Sequence, residues 1–444
     1  MATTYLTRTP GSEGNRKTWT LSGWYKRSKM GESAFFMSVG QWSVSQLCQA
    51  LFEGDDKLNV GGFTSGGGTD FHLESDRRFR DPAAWYHVVI AVDTTQATAG
   101  DRVKMYVNGE QLTTFTTETY PSLNYDCAFN DTEATSVGRR NGTANCYNGV
   151  MAHVHFIDGT AYAPSDFGET DSTSGIWIAK TSPSVTYGTN GFFLKFASGS
   201  PYEDSSGNNN DFTLGAGTLT QTKDTPDNNF CTLNPLNKNH SGALTNGNTT
   251  GTTAADAVWR STFSTMGAAS GKWYWEGKCV SEGAYTGIGV ASIKNMTAAS
   301  GNSNFAHLSG GFAYQDDGVA NNQSSESSYG DTYTTGDIIG VAFDATNGNM
   351  WFSKNGTWQN SATIAEIAAG TTTNAAFTGM ASTTYLPTVK FYNGTTWSMN
   401  YGNGYFGTTS HGETNADDAG IGLFKYDVHG GYYSLCTTNL GDQS

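Results

Sequence analysis

No window of the 444 residues approaches the ~20 apolar positions that cross a bilayer, and the opening Met1-Ala2-Thr3-Thr4-Tyr5 has neither the basic nor the apolar segment of a secretory leader. Membrane insertion is not expected, and synthesis and assembly in a cytoplasm are. Positive charge is scarce: 25 Lys and Arg stand against 40 Asp and Glu, a formal net charge of -15. Only Arg77-Arg78-Phe79-Arg80 concentrates cations, so phosphate backbones are repelled and nucleic acid is not an expected partner. The six cysteines (Cys48, Cys127, Cys146, Cys231, Cys279 and Cys436) form no Cys-x-x-Cys pair and no dense cluster, which sets aside a disulfide scaffold and leaves reduced core residues. Asn-x-Ser/Thr sequons such as Asn141 and Asn393 need a secretory route to matter and carry no weight without one. Long apolar helical stretches are missing as well.

What is abundant is glycine, at 55 residues, and aromatic side chains, at 13 %, with Thr, Ser and Asn frequent. Short strands joined by Gly/Asn turns follow from that mixture. An almost wholly β chain of two or three domains is expected, because 444 residues exceed one hydrophobic core. In Thr18-Trp19-Thr20-Leu21-Ser22-Gly23-Trp24 the alternation predicts a half-buried strand. Trp85-Tyr86-His87-Val88-Val89-Ile90-Ala91-Val92-Asp93 and Arg102-Val103-Lys104-Met105-Tyr106-Val107-Asn108-Gly109 read as two strands, the second closed by an Asn-Gly turn. With Val137-Gly138-Arg139 and the run Gly149 to Phe156, these segments resemble laminin-G-like, or concanavalin-A-like, jelly rolls over about residues 5 to 170. Ala161 to Glu169 resembles the tail of that jelly roll in tailed-phage structural proteins.

Further on, Gly271-Lys272-Trp273-Tyr274-Trp275-Glu276, Thr286-Gly287-Ile288-Gly289-Val290-Ala291, Gly336 to Asp344 and Gly348 to Gly356 read as buried strands with tight turns. In this order and spacing they resemble the SPRY family, whose sandwiches bind partners through loops at one end. The two resemblances together imply the fold class: all-β, two antiparallel β-sandwich (jelly-roll) domains in tandem joined by a Gly/Asn-rich connector. Trp273, Trp275 and Trp351 are expected in the core. The organisation expected is 1–180 jelly roll, 181–240 connector docked on the first sandwich through Phe192, Phe193, Leu194 and Phe196, 241–408 SPRY-like sandwich, and 409–444 closing segment. Phe230-Cys231-Thr232-Leu233 and Leu435-Cys436-Thr437-Thr438 are similar tags, read as one closing edge for each sandwich.

Four sets of residues could carry chemistry. Jelly-roll glucanases use a Glu-x-Asp-x-x-Glu strand, and Glu53-x-Asp55, Glu74-x-Asp76 and Glu169-x-Asp171 each lack the final Glu. His153 and His155 are half of a metal site at most. Laminin-G-like relatives often hold calcium at a loop rim, so the resemblance makes Asp70, Asp126 and Asp131 candidate Ca2+ ligands, against solvated loop acids as the plainer reading. Aromatic and polar loops suit sugar recognition, since rings stack on pyranose faces while amides and carboxylates meet hydroxyls. That makes Tyr314, Gln315, Asp316, Asp317, Tyr329, Tyr333 and Trp358 the candidate ligand-binding residues.

The pairing of a jelly roll with SPRY resembles proteins of marine tailed phages. The resemblance implies a non-enzymatic virion structural protein, a fibre-like appendage on the virion surface that is assembled in the host cytoplasm. Its partners would be other virion proteins, further copies of itself, with a trimer favoured, and host-surface glycan. A capsid decoration protein and a glycan-active jelly-roll enzyme are the alternatives.

Overall fold

The computed structural model describes residues 3–42, 44–238, 242–296, 303–428 and 430–443, which fold as two units, Met1–Gln221 and Thr222–Ser444. Both are antiparallel sandwiches. In the first, a larger sheet orders Phe115–Thr119, Thr69–Arg78, Lys57–Phe63, Leu47–Phe52, Ala34–Val39, Thr135–Val137, Tyr5–Arg8 and Thr213–Ala216. Its partner sheet orders Phe192–Leu194, Gly149–Asp158, Thr18–Arg27, Trp85–Asp93, Val103–Val107 and Glu110–Gln111. The core takes side chains from both, among them Trp19, Leu21, Val88, Ile90 and Met105 from one sheet and Phe36, Val60, Phe71 and Leu73 from the other.

The Thr18–Arg27 strand departs from the half-buried expectation, because it is buried on both faces from Trp19 onward. The covering chain comes from residues 160–187. Phe167 packs with Val89 and Ile157, flanked by Tyr162 and Tyr187, and Trp177 packs on Trp24 and Trp85. Polar groups trapped beneath find partners, as burial demands: Thr20 Oγ1 donates to the Thr160 carbonyl at 2.8 Å, and Trp177 Nε1 donates to His87 Nδ1 at 3.0 Å. Residues 192–216 also belong to this unit, with Phe212 edge-on to Phe192 at 4.7 Å. Asp204 ties that stretch together by accepting the Phe193, Ser206 and Asn210 amides.

The second unit stacks two seven-stranded sheets. One orders Leu233–Lys238, Arg260–Ser264, Tyr385–Phe391, Gly287–Ser292, Gly311–Gln315, Val319–Asn322 and Ser325–Ser328. The other orders Leu244–Thr245, Thr250–Thr252, Thr396–Asn400, Lys272–Ser281, Ile338–Asp344, Asn349–Lys354 and Thr357–Trp358. Trp273, Trp275, Trp351 and Trp397 are fully buried. The hairpin of Asn349–Lys354 and Thr357–Trp358 turns on Asn355 and Gly356, both at positive φ (50° and 83°), the primed-turn geometry that matches strand twist. A side chain at Gly289 would strike the Phe312 carbonyl oxygen on the neighbouring strand, so glycine there sets the close approach of the two backbones.

Two boundaries differ from the sequence reading. The chain divides between 221 and 222, so residues 222–238, counted above with a connector docked on the first sandwich, lie in the second unit. The two tags do not close separate sandwiches either. Phe230 bridges Cys436 in antiparallel fashion, Cys231 N donates to the Leu435 carbonyl and Thr437 N to the Asn229 carbonyl, both at 2.9 Å. Two like segments that are each short of strand partners satisfy one another. Among the described residues, no helix is long and apolar enough to cross a membrane.

Candidate functional site

The tyrosines expected to face a ligand are core. Tyr314 sits amid Tyr329, Tyr333 and Phe352, with ring centroids 5.6, 5.4 and 5.2 Å away, and all are buried. Their hydroxyls are committed within the fold: Tyr314 donates to the Asp331 carbonyl, Tyr333 to the Thr286 and Tyr314 carbonyls at 3.3 and 3.1 Å, and Tyr329 accepts the Phe352 amide at 3.2 Å. Burial of three phenols in one cluster is affordable only with such partners. Trp358 is half-buried, edge-on to Tyr274 at 6.4 Å. Gln315 is buried, donating to Glu326 Oε1 at 3.1 Å and accepting from Lys390 Nζ.

The acids of this group behave differently. Asp316 and Asp317, just past the end of the Gly311–Gln315 strand, line a cavity of about 430 Å³ together with Glu282, Tyr285, Thr332 and Lys354, and Tyr333 also reaches its lining. Asp317 and Glu282 are exposed, whereas Asp316 is only 7 % exposed and its Oδ1 accepts no hydrogen bond. Burial pushes the Asp316 carboxyl up to about 6, opposed by the Lys390 charge. Lys354 is held by the Thr332 carbonyl at 2.7 Å and Asp337 at 3.5 Å.

One wall of the cavity carries Tyr285, 54 % exposed. Its ring belongs to an aromatic patch with Trp259 (5.9 Å) and Tyr392 (5.9 Å), and those two rings lie 4.6 Å apart. The backbone holds Tyr285 there under strain. Ala284 and Tyr285 both sit at positive φ (75° and 50°), which side-chain-bearing residues avoid at a cost of about 1–3 kcal/mol each. Gly283, just before them, is pressed against the Tyr392 and Asn393 carbonyls so closely that no side chain fits.

Beneath the patch lies Lys390, fully buried, its ammonium 5.0 Å from the centre of the Trp259 ring. Burial lowers it to about 7, against the raising pull of Asp316, Asp317 and Glu326. A polar network takes it up: Lys390 to Gln315, Gln315 to Glu326, and Asn321 to Glu326 at 2.8 Å.

Residue patterning missed Trp259, Glu282, Tyr285, Lys390 and Tyr392. The one local signal was an aromatic residue in the glycine-flanked stretch Gly283-Ala284-Tyr285-Thr286-Gly287.

In the first unit the three calcium candidates do not come together. Asp70 accepts from the Tyr125 hydroxyl at 2.7 Å, Asp131 pairs with Arg16 at 3.1 Å, and Asp126 lies 4.0 Å from Lys17. His153 and His155 flank a bulge, and His155 stacks on Phe193 at 3.9 Å. Among the described residues, no group of three or more His, Cys, Asp and Glu is placed to hold a metal. Of the acids in the glucanase-like fragments, Asp55 and Glu74 are bridged by Lys57, at 2.8 Å and 3.0 Å.

Residues 2–165 match the family model of the concanavalin A-like lectin/glucanases superfamily, and residues 272–404 match the model of the SPRY domain. Among solved structures, the chain is similar to the SPRY domain of human HERC1 (20 % identity, 38 % of this chain and 96 % of that one, TM-score 0.30). It is similar as well to a heptameric SAP-like pentraxin from Limulus polyphemus (12 % identity, 40 % and 86 %, TM-score 0.29). No curated protein sequence matches it significantly.

Proposed function

We propose that this chain, a concanavalin-A-like sandwich followed by a SPRY sandwich, is a non-enzymatic recognition protein whose second unit holds a saccharide at the cavity beside Tyr285. The observation that carries this reading is the strained, outward Tyr285 with Trp259 and Tyr392 behind it, bordering a cavity edged by Glu282, Asp316, Asp317 and the Thr332 backbone. Aromatic faces next to convergent carboxylates are what a pyranose ring with its hydroxyls requires. The setting we propose is a fibre-like appendage on a tailed-phage virion, a homotrimer assembled with other virion proteins and touching host-surface glycan. Support for that setting is the order of the two modules.

A glycan array probed with the full-length chain tests the recognition reading. Binding should be lost in Tyr285→Ala and kept in Asp70→Asn, in the other unit. Undiminished binding by Tyr285→Ala sinks it.

A further inference from the structure

The lining of the Tyr285 cavity is unbalanced in charge. Glu282, Asp316 and Asp317 contribute three carboxylates, while the lining supplies one cation, Lys354. Lys354 is already engaged by Asp337 and the Thr332 carbonyl. Glu282 accepts from the Thr334 hydroxyl and Asp317 from the Val319 amide at 3.4 Å; both partners are neutral. Among the described residues, no cation stands within ion-pair distance of any of the three.

Lys390, the remaining nearby cation, is buried behind the lining and acts on Asp316 and Asp317 only from beyond ion-pair distance. Its ammonium bonds to Gln315 Oε1 and lies under the Trp259 ring, and burial has already weakened its hold on a proton. Asp316, nearly buried on the cavity wall, keeps an oxygen with no hydrogen-bond partner. A carboxylate withdrawn from water without an ion pair is costly, and a cation entering the cavity beside the exposed Glu282 and Asp317 adds to the partial compensation that Lys390 gives Asp316.

A neutral sugar would cover these acids and leave their charge uncompensated. An acidic sugar would add to it. Resting on the saccharide reading above, we infer that the cavity takes a saccharide bearing a protonated primary amine, with the ring against Tyr285 and the ammonium among Glu282, Asp316 and Asp317. Aromatic faces favour a cation as well as a sugar ring, so both halves of such a ligand find their complement in one place.

The test is isothermal titration calorimetry of the full-length chain against four probes: glucosamine tetramer, its fully N-acetylated counterpart, a galacturonate tetramer and tetralysine. The glucosamine tetramer should bind at least tenfold tighter than the N-acetylated one, the galacturonate tetramer should not bind, and tetralysine should bind more weakly than the glucosamine tetramer. Glu282→Gln and Asp317→Asn, at exposed positions that leave the core intact, should each reduce glucosamine-tetramer affinity severalfold. They should leave affinity for the N-acetylated tetramer unchanged. Equal or tighter binding of the N-acetylated or the acidic tetramer overturns the inference while keeping a saccharide site. Tetralysine binding as tightly as the amino sugar overturns it in favour of a cationic peptide. Binding of none of the four overturns it, and a negative glycan array alongside removes the saccharide reading too.

Discussion

Glu276→Gln tests the energetics of the second sandwich through pH. Glu276 lies on the central Lys272–Ser281 strand, fully buried, and its two oxygens accept the Lys425 and Tyr426 amides at 2.9 Å, Asn400 Nδ2 at 3.1 Å and the Tyr274 hydroxyl at 3.2 Å. Those donors favour the charged form, yet burial outweighs them and pushes the carboxyl up to about 7. In the unfolded chain it titrates near ~4.3. Between these values the folded state keeps a proton that the unfolded state has released, so stability falls as pH rises through the window and is flat above it. At ~1.36 kcal/mol per pH unit the full effect is about 3–4 kcal/mol, most of which falls between pH 5 and pH 8. Glutamine has no proton to release. It also turns an amide towards two of the donors, which lowers stability at every pH by about 1–3 kcal/mol per unsatisfied donor. The measurement is denaturant-dependent hydrogen exchange of the Lys272–Ser281 strand at pH 5 and pH 8 in both proteins. Asp316 titrates in each and cancels in the comparison. If the variant loses as much stability between the two pH values as the wild type does, the assignment of the slope to Glu276 is refuted.

Lys390→Met should remove a penalty of opposite pH dependence. The folded ammonium is lowered to about 7, so wild-type stability climbs as pH rises from 7 towards the unfolded value. The variant should gain about 2–3 kcal/mol on the wild type at pH 6 relative to pH 9 by chemical denaturation; an equal effect at both pH values counts against it. In the first sandwich, Asp56 holds buried Arg27 at 3.0 Å and Arg80 at 2.8 Å. Asp56→Asn should cost about 3–5 kcal/mol at neutral pH. Because these partners keep the Asp56 carboxyl below its ordinary range despite burial, the wild-type advantage should fade as acid protonates it, and a pH-independent difference would argue otherwise. Gly289→Ala should lower stability by at least ~1–3 kcal/mol by prising apart the strands at Phe312, and an unchanged melting temperature would show the approach to be unimportant.

Residues that set local geometry were legible in the sequence. The Asn355-Gly356 turn and the buried tryptophans of the second unit lie where their patterns placed them, because turn torsions and strand burial depend on near neighbours. The outcome for the candidate site was different. Tyr314, Tyr329 and Tyr333 stand in polar-looking windows and are core, since their partners Phe352 and Trp397 are supplied by distant strands. Lys390 alternates like a solvent-facing residue and is buried, because Trp259 lies across it. Tyr285 stands exposed on a backbone conformation that side-chain statistics disfavour, just after Gly283, which packs on a strand end more than a hundred residues away. Of the ligand-binding candidates, Asp316, Asp317 and the largely buried Tyr333 came through from the sequence to the cavity lining.

The clasp between residues 229–231 and 435–437 has a mechanical side. It is antiparallel, with Phe230 opposite Cys436, so the chain running back towards residue 222 and the chain running on towards residue 443 leave it from the same end. Tension applied through those two points loads its hydrogen bonds one after another, as in opening a zip. The first to feel it are Thr438 N to Asn228 Oδ1 at 3.2 Å and Asn229 N to Thr437 Oγ1 at 3.0 Å, then the backbone pair. A strand pulled lengthwise would share the load among its bonds, but this one peels. Under stretch the clasp is therefore loaded to open bond by bond, from the Asn228 and Thr438 end inward.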